Sequence, residues 1–209
     1  MPRFVGRENV RKRLASLDGE PGRTAYADGA VRIEAAGEVI TVRPPFGLPH
    51  AAEYEVVRLE PLFEALAADH VVAALLVRLG GYAVGVFEGE RLVASKVGSR
   101  FVKGRHKKGG SSSGRFRRRR EEQSRALIEE AAEVAAGVLE PWRDRVEFAA
   151  LGGDRAAVDR VLAASPELGW VAGRTLPRFF GVPDPRQAVL ERLPYDLYSA
   201  ELSVERDPR

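Results

Sequence analysis

Apolar positions in the first third of the chain recur first at helical and then at strand spacing. Residues 6–17 (GRENVRKRLASL) place Val10, Leu14 and Leu17 on one face of a short helix, closed by the Asp18-Gly19 and Pro21-Gly22 pairs. Residues 24–33 and 38–43 alternate as two strands about Ala35-Ala36-Gly37, which predicts a hairpin. Pro44-Pro45-Phe46-Gly47-Leu48-Pro49 forms a rigid loop. Residues 59–68 (LEPLFEALAA) then read as a helix with Leu62, Phe63 and Leu66 facing inward. Together these predict a small α+β N-terminal region over residues 1–69.

The pattern changes at residue 71. Residues 71–79 are nearly all apolar, as a strand covered on both faces would be. Gly80-Gly81 turns the chain into a strand at 82–87, and Glu88-Gly89-Glu90 turns it again into 91–97, an antiparallel meander. After a long polar stretch, residues 121–139 are the clearest helix. Leu127, Ala131, Val134 and Val138 form its stripe, widened by Ile128, Ala135 and Leu139, and Pro141 ends it. A fourth strand is expected at 146–151. Gly152-Gly153-Asp154 then opens a helix running to 164, with Asp154 as its N-cap. A fifth strand at 170–173, a helix at 185–193 and a last strand at 197–204 complete the reading. The fold class is α/β (α+β), with a mixed β-sheet and packed helices in a second domain over residues 70–209.

Composition narrows the chemistry. The chain has 209 residues, 44% of them hydrophobic, enough for a sizeable core. It has no cysteine, so disulfides and thiolate metal sites are excluded. His50, His70 and His106 lie far apart with no metal-ligand spacing, and no metal or other cofactor is implied. The N-terminus lacks the apolar run of a signal peptide. No stretch approaches the roughly 18 apolar residues of a membrane span, so a soluble cytoplasmic protein without membrane contact is expected.

Charge changes the picture most. Residues 91–120 hold twelve Lys and Arg and no Asp or Glu. The rest of the chain holds 21 basic against 30 acidic side chains, a net −9 in a protein whose total is +3. The chain has 28 Arg and five Lys, so only clustered arginines carry weight. The cluster peaks at residues 103–120, KGRHKKGGSSSGRFRRRR. A run of this kind suits a polyanion, because Lys and Arg neutralise successive phosphates. The glycines at 109, 110 and 114 let backbone N–H groups approach a ligand closely, and the three serines add small hydroxyls. Four arginines at 117–120 also stand where the helix dipole disfavours positive charge, at ~0.3–1 kcal/mol each. Glu121 and Glu122 offset part of this. A flexible linker with solvated arginines is the plain alternative. It is weakened because the segment joins a strand and a helix of one sheet rather than two domains. A nucleotide-binding P-loop fails for want of Gly-Lys-Ser/Thr after the glycines.

The stretch 82–120 resembles the middle domain of eukaryotic and archaeal class-1 peptide-release factors. There a strand, a turn and a strand lead into a basic Gly-Gly-Gln loop, then Ser, two small or apolar residues, Arg-Phe, more arginines and a long helix. Gly109-Gly110 match the glycines, Arg115-Phe116 the Arg-Phe, and 121–139 the helix. The chain is also similar to the Vms-like release factors (VLRF), actinobacterial branch, which carry Gly-Ser-Gln after a His/Arg/Lys stretch. The resemblance spans about residues 71–204. It implies a release-factor middle-domain-like fold, with the ribosome (large subunit, peptidyl-transferase centre) and peptidyl-tRNA as partners. The implied activity is hydrolysis of the ester joining peptide to tRNA. The catalytic loop it implies is Gly109, Gly110, Ser111, Ser112 and Ser113. The RNA contacts it implies are Lys103, Arg105, His106, Lys107, Lys108, Arg115, Arg117, Arg118, Arg119 and Arg120.

The glutamine itself is absent: its place is Ser111 when aligned on Gly-Gly-Gln and Ser112 when aligned on Gly-Ser-Gln. Gln123 falls inside the predicted helix. Two other readings stay open, a nuclease-type cut near the tRNA 3′ CCA end, as in eukaryotic VLRF proteins, and a non-catalytic binding factor like the pelota-type paralogues. Outside the loop, His70 reads as structural, Trp142 and Trp170 as core or groove-lining, and Phe179-Phe180 as core. No carboxylate pair or Ser/His/Asp spacing stands out.

Overall fold

The computed structural model describes residues 3–78, 80–99 and 113–206, and of residues 113–120 the backbone and the Arg118 side chain. The chain divides into two compact units, residues 1–69 with 193–209, and residues 70–192.

The first unit is a six-stranded antiparallel sheet. Its strands are β1 (Arg3–Gly6), β2 (Arg23–Ala27), β3 (Ala30–Ala35), β4 (Glu38–Arg43), β5 (Ala52–Tyr54) and β10 (Ser199–Arg206), in the order β1-β10-β4-β3-β2-β5. Two helices accompany it, α1 (Arg7–Leu14) and α2 (Glu60–Ala67). The period-2 face of the sheet (Tyr26, Val31, Ile33, Ile40, Val42, Leu202) and the helix stripes (Val10, Leu14, Leu62, Leu66) share one buried core. The segment 24–33, expected as one strand, is two: Asp28-Gly29, both at positive φ, makes a two-residue hairpin turn. Residues 199–206, expected with the second domain, form β10. It inserts between β1 and β4, pairing Leu202 with Val42 and Val5 with Ala200. The apolar alternation of β10 (Ala200, Leu202) matches the face of β4, which is what selects this register.

The second unit is built on β6 (Val71–Arg78), β7 (Gly81–Glu88), β8 (Arg91–Ser99) and β9 (Phe148–Gly153), in the order β8-β7-β6-β9. The meander is as expected, and β9 pairs parallel to β6, which makes the sheet mixed. β6 and β7 are buried along almost their whole length, consistent with strands covered on both faces. Two helices, α3 (Ser113–Leu139) and α4 (Arg155–Ala164), share a core with the sheet. A further helix, α5 (Gln187–Leu197), starts in this unit, and the division between units falls within it. Asp154 caps α4 as predicted, accepting from the Ala157 N–H at 3.2 Å. Residues 170–173, expected as a strand, lie instead in a 3-10 helix spanning Pro166–Arg174, since Pro166, Gly169 and Gly173 break strand pairing. At the end of β9, Gly153 has φ +99°, and a Cβ there would meet the Val77 carbonyl at 2.2 Å, so only glycine fits this switch into α4.

The opposite end of β6 is tied by one carboxylate. Glu147 accepts from the Val71 N–H at 3.0 Å and meets His70 Nδ1 at 2.9 Å, joining the starts of β6 and β9. Burial pushes the Glu147 carboxyl up, but the hydrogen bonds from His70 and Val71 outweigh it, and its pKa lies below the ordinary value of 4.5. Its stabilisation is therefore present above about pH 4.5 and is lost as pH falls through the lowered folded-state value. We expect Glu147→Gln to flatten the loss of stability on acidification, measured as denaturant midpoints from neutral pH to pH 3–4 or so. An acid profile identical to wild type would contradict this role.

Candidate nucleic-acid interface

One edge of the second sheet gathers several chain ends. Ser99, the last residue of β8, pairs with Gly81, Gly81 pairs with Arg78 at the end of β6, and Val77 pairs with Gly153 at the end of β9. At about 4.8 Å per strand, the β8 exit and the end of β6 lie about 10 Å apart across that edge. The basic segment leaves the sheet there. Gly109, Gly110, Ser111, Ser112, Lys103, Arg105, His106, Lys107 and Lys108 lie outside the described residues. Beyond them, Ser113 stands in the first turn of α3.

The start of α3 is a correction to the sequence reading. The helix was expected from 121, and it begins at Ser113. Ser113, Arg115, Arg117, Arg118, Arg119 and Arg120 are thus all on helical backbone. At 1.5 Å per residue the 27 residues of α3 span about 40 Å. The physical reason is propensity: arginine is a good helix former, and five arginines among residues 115–120 outweigh one Gly114. The first turn contains no acid, and Arg118 is exposed. Further along, Arg125 and Glu129 pair at 2.8 Å, an exposed i,i+4 contact of small net worth.

What holds α3 in place lies in its C-terminal two-thirds. Leu127, Ile128, Ala131, Ala132, Ala135, Ala136 and Leu139 are buried in the core shared with Tyr82, Val84 and Val86 of β7. The face is rotated from the expected one: Ala132 and Ala136 are buried, whereas Val134 and Val138 are half-buried at its border. Near the sheet edge, the Tyr82 hydroxyl donates to Glu130 of α3 at 3.0 Å. The Tyr82 ring lies over Gly98, one residue before the end of β8, where a Cβ would fall 2.3–2.5 Å from ring and hydroxyl atoms. Gly98, Tyr82 and Glu130 thus join the strand that enters the basic segment to the helix that leaves it. Sequence reasoning missed all three. The available signal was a glycine inside a strand pattern, a mark of close approach.

The remaining candidates are structural. Trp170 Nε1 donates to Glu140 at 3.1 Å, and Arg145 stacks over Trp142 at 4.7 Å. Phe180 is buried and Phe179 half-buried, each beneath an arginine, Arg178 at 4.8 Å and Arg155 at 4.2 Å. His50 Nε2 lies 3.0 Å from the Tyr54 hydroxyl. Gln123 is within α3, and its buried side-chain oxygen has no hydrogen-bond partner among the described residues. Among the described residues no cluster of three His, Asp or Glu is assembled, and no helix is long and apolar enough to cross a membrane.

Residues 70–203 match a family model described as the Actinobacteria/chloroflexi VLRF1 release factor. No curated protein matches the chain. Among solved structures it is similar to the archaeal translation termination factor aRF1, at 16% identity and a TM-score of 0.45, over 91% of this chain and 54% of that one. A second archaeal protein gives 16% identity and 0.42, over 89% and 51%. The Vms1 mitochondrial localization core gives 11% and 0.48, over 97% and 82%. The chain spans about half the length of the two archaeal chains.

The Gly98 contact yields a stability prediction. Gly98→Ala should cost about 1–3 kcal/mol through overpacking against the Tyr82 ring. In a Tyr82→Ala background the same change should cost almost nothing, measured by urea denaturation of the four proteins. Equal costs in both backgrounds would contradict the contact.

Proposed function

Because the chain belongs to the VLRF1 release-factor family of Actinobacteria and Chloroflexi, we propose that it is a ribosome-directed release or rescue factor hydrolysing the ester bond of peptidyl-tRNA. The observation that carries this reading is the Gly109-Gly110 pair set in a thirty-residue run of unopposed positive charge, inside the matched residues. The described ends of the run support the reading, since β8 precedes residues 100–112, α3 follows them, and the Gly98–Tyr82–Glu130 contact links the two elements.

In the proposed reaction, water adds to the ester carbonyl carbon at the tRNA 3′ end. The carbonyl oxygen carries the developing negative charge, and the backbone N–H of Ser111 or Ser112 donates to it. The carbon–oxygen bond to the ribose then breaks. The ribose oxygen takes up a proton, and the peptide leaves with a free carboxyl group. A serine supplies the same backbone N–H as the family glutamine, with a shorter side chain. Lys103, Arg105, His106, Lys107, Lys108, Arg115 and Arg117 to Arg120 bind RNA phosphates of the large subunit and tRNA in the cytoplasm. No cofactor takes part. Serine at both positions aligned with the glutamine favours a second reading, a factor that binds without cleaving. The retained glycines favour hydrolysis.

The test is release of a labelled nascent peptide from stalled ribosomal complexes, with the freed tRNA 3′ end mapped. Wild type should free peptide with an intact CCA end, Gly110→Val should lower release about 100-fold or more, and Ser112→Ala should lower it to a lesser degree, with ribosome binding retained. Peptide carrying the CCA would mean a nuclease-type cut, and tight binding with no release would mean a binding factor. Equal release by Gly110→Val and wild type would overturn the loop mechanism. Replacing Arg117, Arg118, Arg119 and Arg120 by Gln should lower the slope of log K against log salt by about 3–4.

A further inference from the structure

A cleft lined by two arginines lies beside the middle of α3, outside the Gly/Ser stretch. Between α3 and the start of α4 is a cleft of about 110 Å³, lined by Arg78, Ser124, Leu127, Ile128, Asp154 and Arg160 among others. This is far above the roughly 10–15 Å³ that one water needs, so the cleft admits a tetrahedral oxyanion. Arg78 and Arg160 are exposed, and among the described residues neither forms an ion pair. Arg78 donates to the Val182 carbonyl at 2.8 Å, and Arg160 lies 3.3 Å from the Ser124 hydroxyl. Each guanidinium is therefore steered into place by a neutral acceptor and keeps further N–H donors free. Elsewhere arginines such as Arg58, Arg143 and Arg145 lie within 3.3 Å of a carboxylate.

The cleft sits at the sheet edge where Arg78 ends β6 and where β8, two strands away, enters the basic segment. The opposing charge is Asp154, whose carboxylate is engaged by the Ala157 N–H at the start of α4.

We propose that this cleft holds one phosphodiester group of the RNA bound by the basic segment, clamped between Arg78 and Arg160 with the Ser124 hydroxyl as a further donor. The inference rests on the RNA-directed reading above and deepens it. It adds a backbone contact outside the Gly/Ser stretch, which anchors the strand while the stretch reaches the reacting end. Such a contact carries no sequence information and acts through position and salt-dependent affinity.

The test is binding of the full chain to a hairpin RNA of acceptor-stem form ending in 3′ CCA, followed by fluorescence anisotropy across a KCl series. Arg160→Gln should weaken binding about five- to tenfold at low salt and reduce the salt slope by about 1. Asp154→Asn keeps an equivalent helix cap and removes the opposing charge, so it should tighten binding several-fold. Arg32→Gln, on β3, is the control for bulk charge and should change neither quantity. Thermal melts of each variant check that the fold is intact. Wild-type affinity and slope in both Arg160→Gln and Asp154→Asn would overturn the proposal and leave the release-factor reading standing. So would an equal effect of Arg32→Gln, or binding of inorganic phosphate at Arg160 with an unchanged RNA slope. Absence of salt-dependent RNA binding by wild type would instead remove the RNA-directed reading and this inference with it.

Discussion

The packing of α3 against β7 is the interaction on which the second unit depends. The helix starts with a run of arginines and no acid, so neither its dipole nor its first turn favours it. Its hold comes from farther along, where four alanines, Ala131, Ala132, Ala135 and Ala136, bring the backbone close to the sheet between Leu127, Ile128 and Leu139. Fully burying each of the larger side chains contributes about 1.5–3 kcal/mol, more than the few tenths to 1 kcal/mol that an unfavourable charge near the helix start costs. The stability of the helix thus comes from its apolar C-terminal part and not from its arginine-bearing first turns.

Elsewhere several arginines stand beside a carboxylate. Arg7 with Asp69, Arg23 with Glu53, Arg58 with Glu60, and Arg143 with Glu140 are local pairs that contribute little to stability. Their effect is on the field: they neutralise the surface around them, while the sequence excess of positive over negative residues falls within 91–120. The Gly98–Tyr82–Glu130 contact joins the last residues of β8, before the Gly/Ser stretch, to the helix after it.

Much of this was legible in the chain. The meander of β6, β7 and β8 followed from continuous apolar runs between glycine turns, and Asp154 from its N-cap position, because both signals are local. The features missed were settled by distant partners or competing propensities. Nothing near residue 200 says that its strand pairs with Val42 rather than with the second sheet. The run at 166–174 contains Trp170 and Val171, which suggest a strand, but proline and two glycines turn it into a 3-10 helix. The eight residues by which α3 exceeds its expected start were read as loop because of Gly114 and the serines, whereas the arginines extend the helix.

The most direct test of the central claim is where residue 111 sits on the ribosome. The chain has no cysteine, so Ser111→Cys creates a single attachment point for a hydroxyl-radical probe. Bound to stalled complexes, the probe should cleave RNA only around the peptidyl-transferase centre and at the tRNA 3′ end. Cleavage elsewhere on the ribosome, or none despite tight binding, would contradict the account.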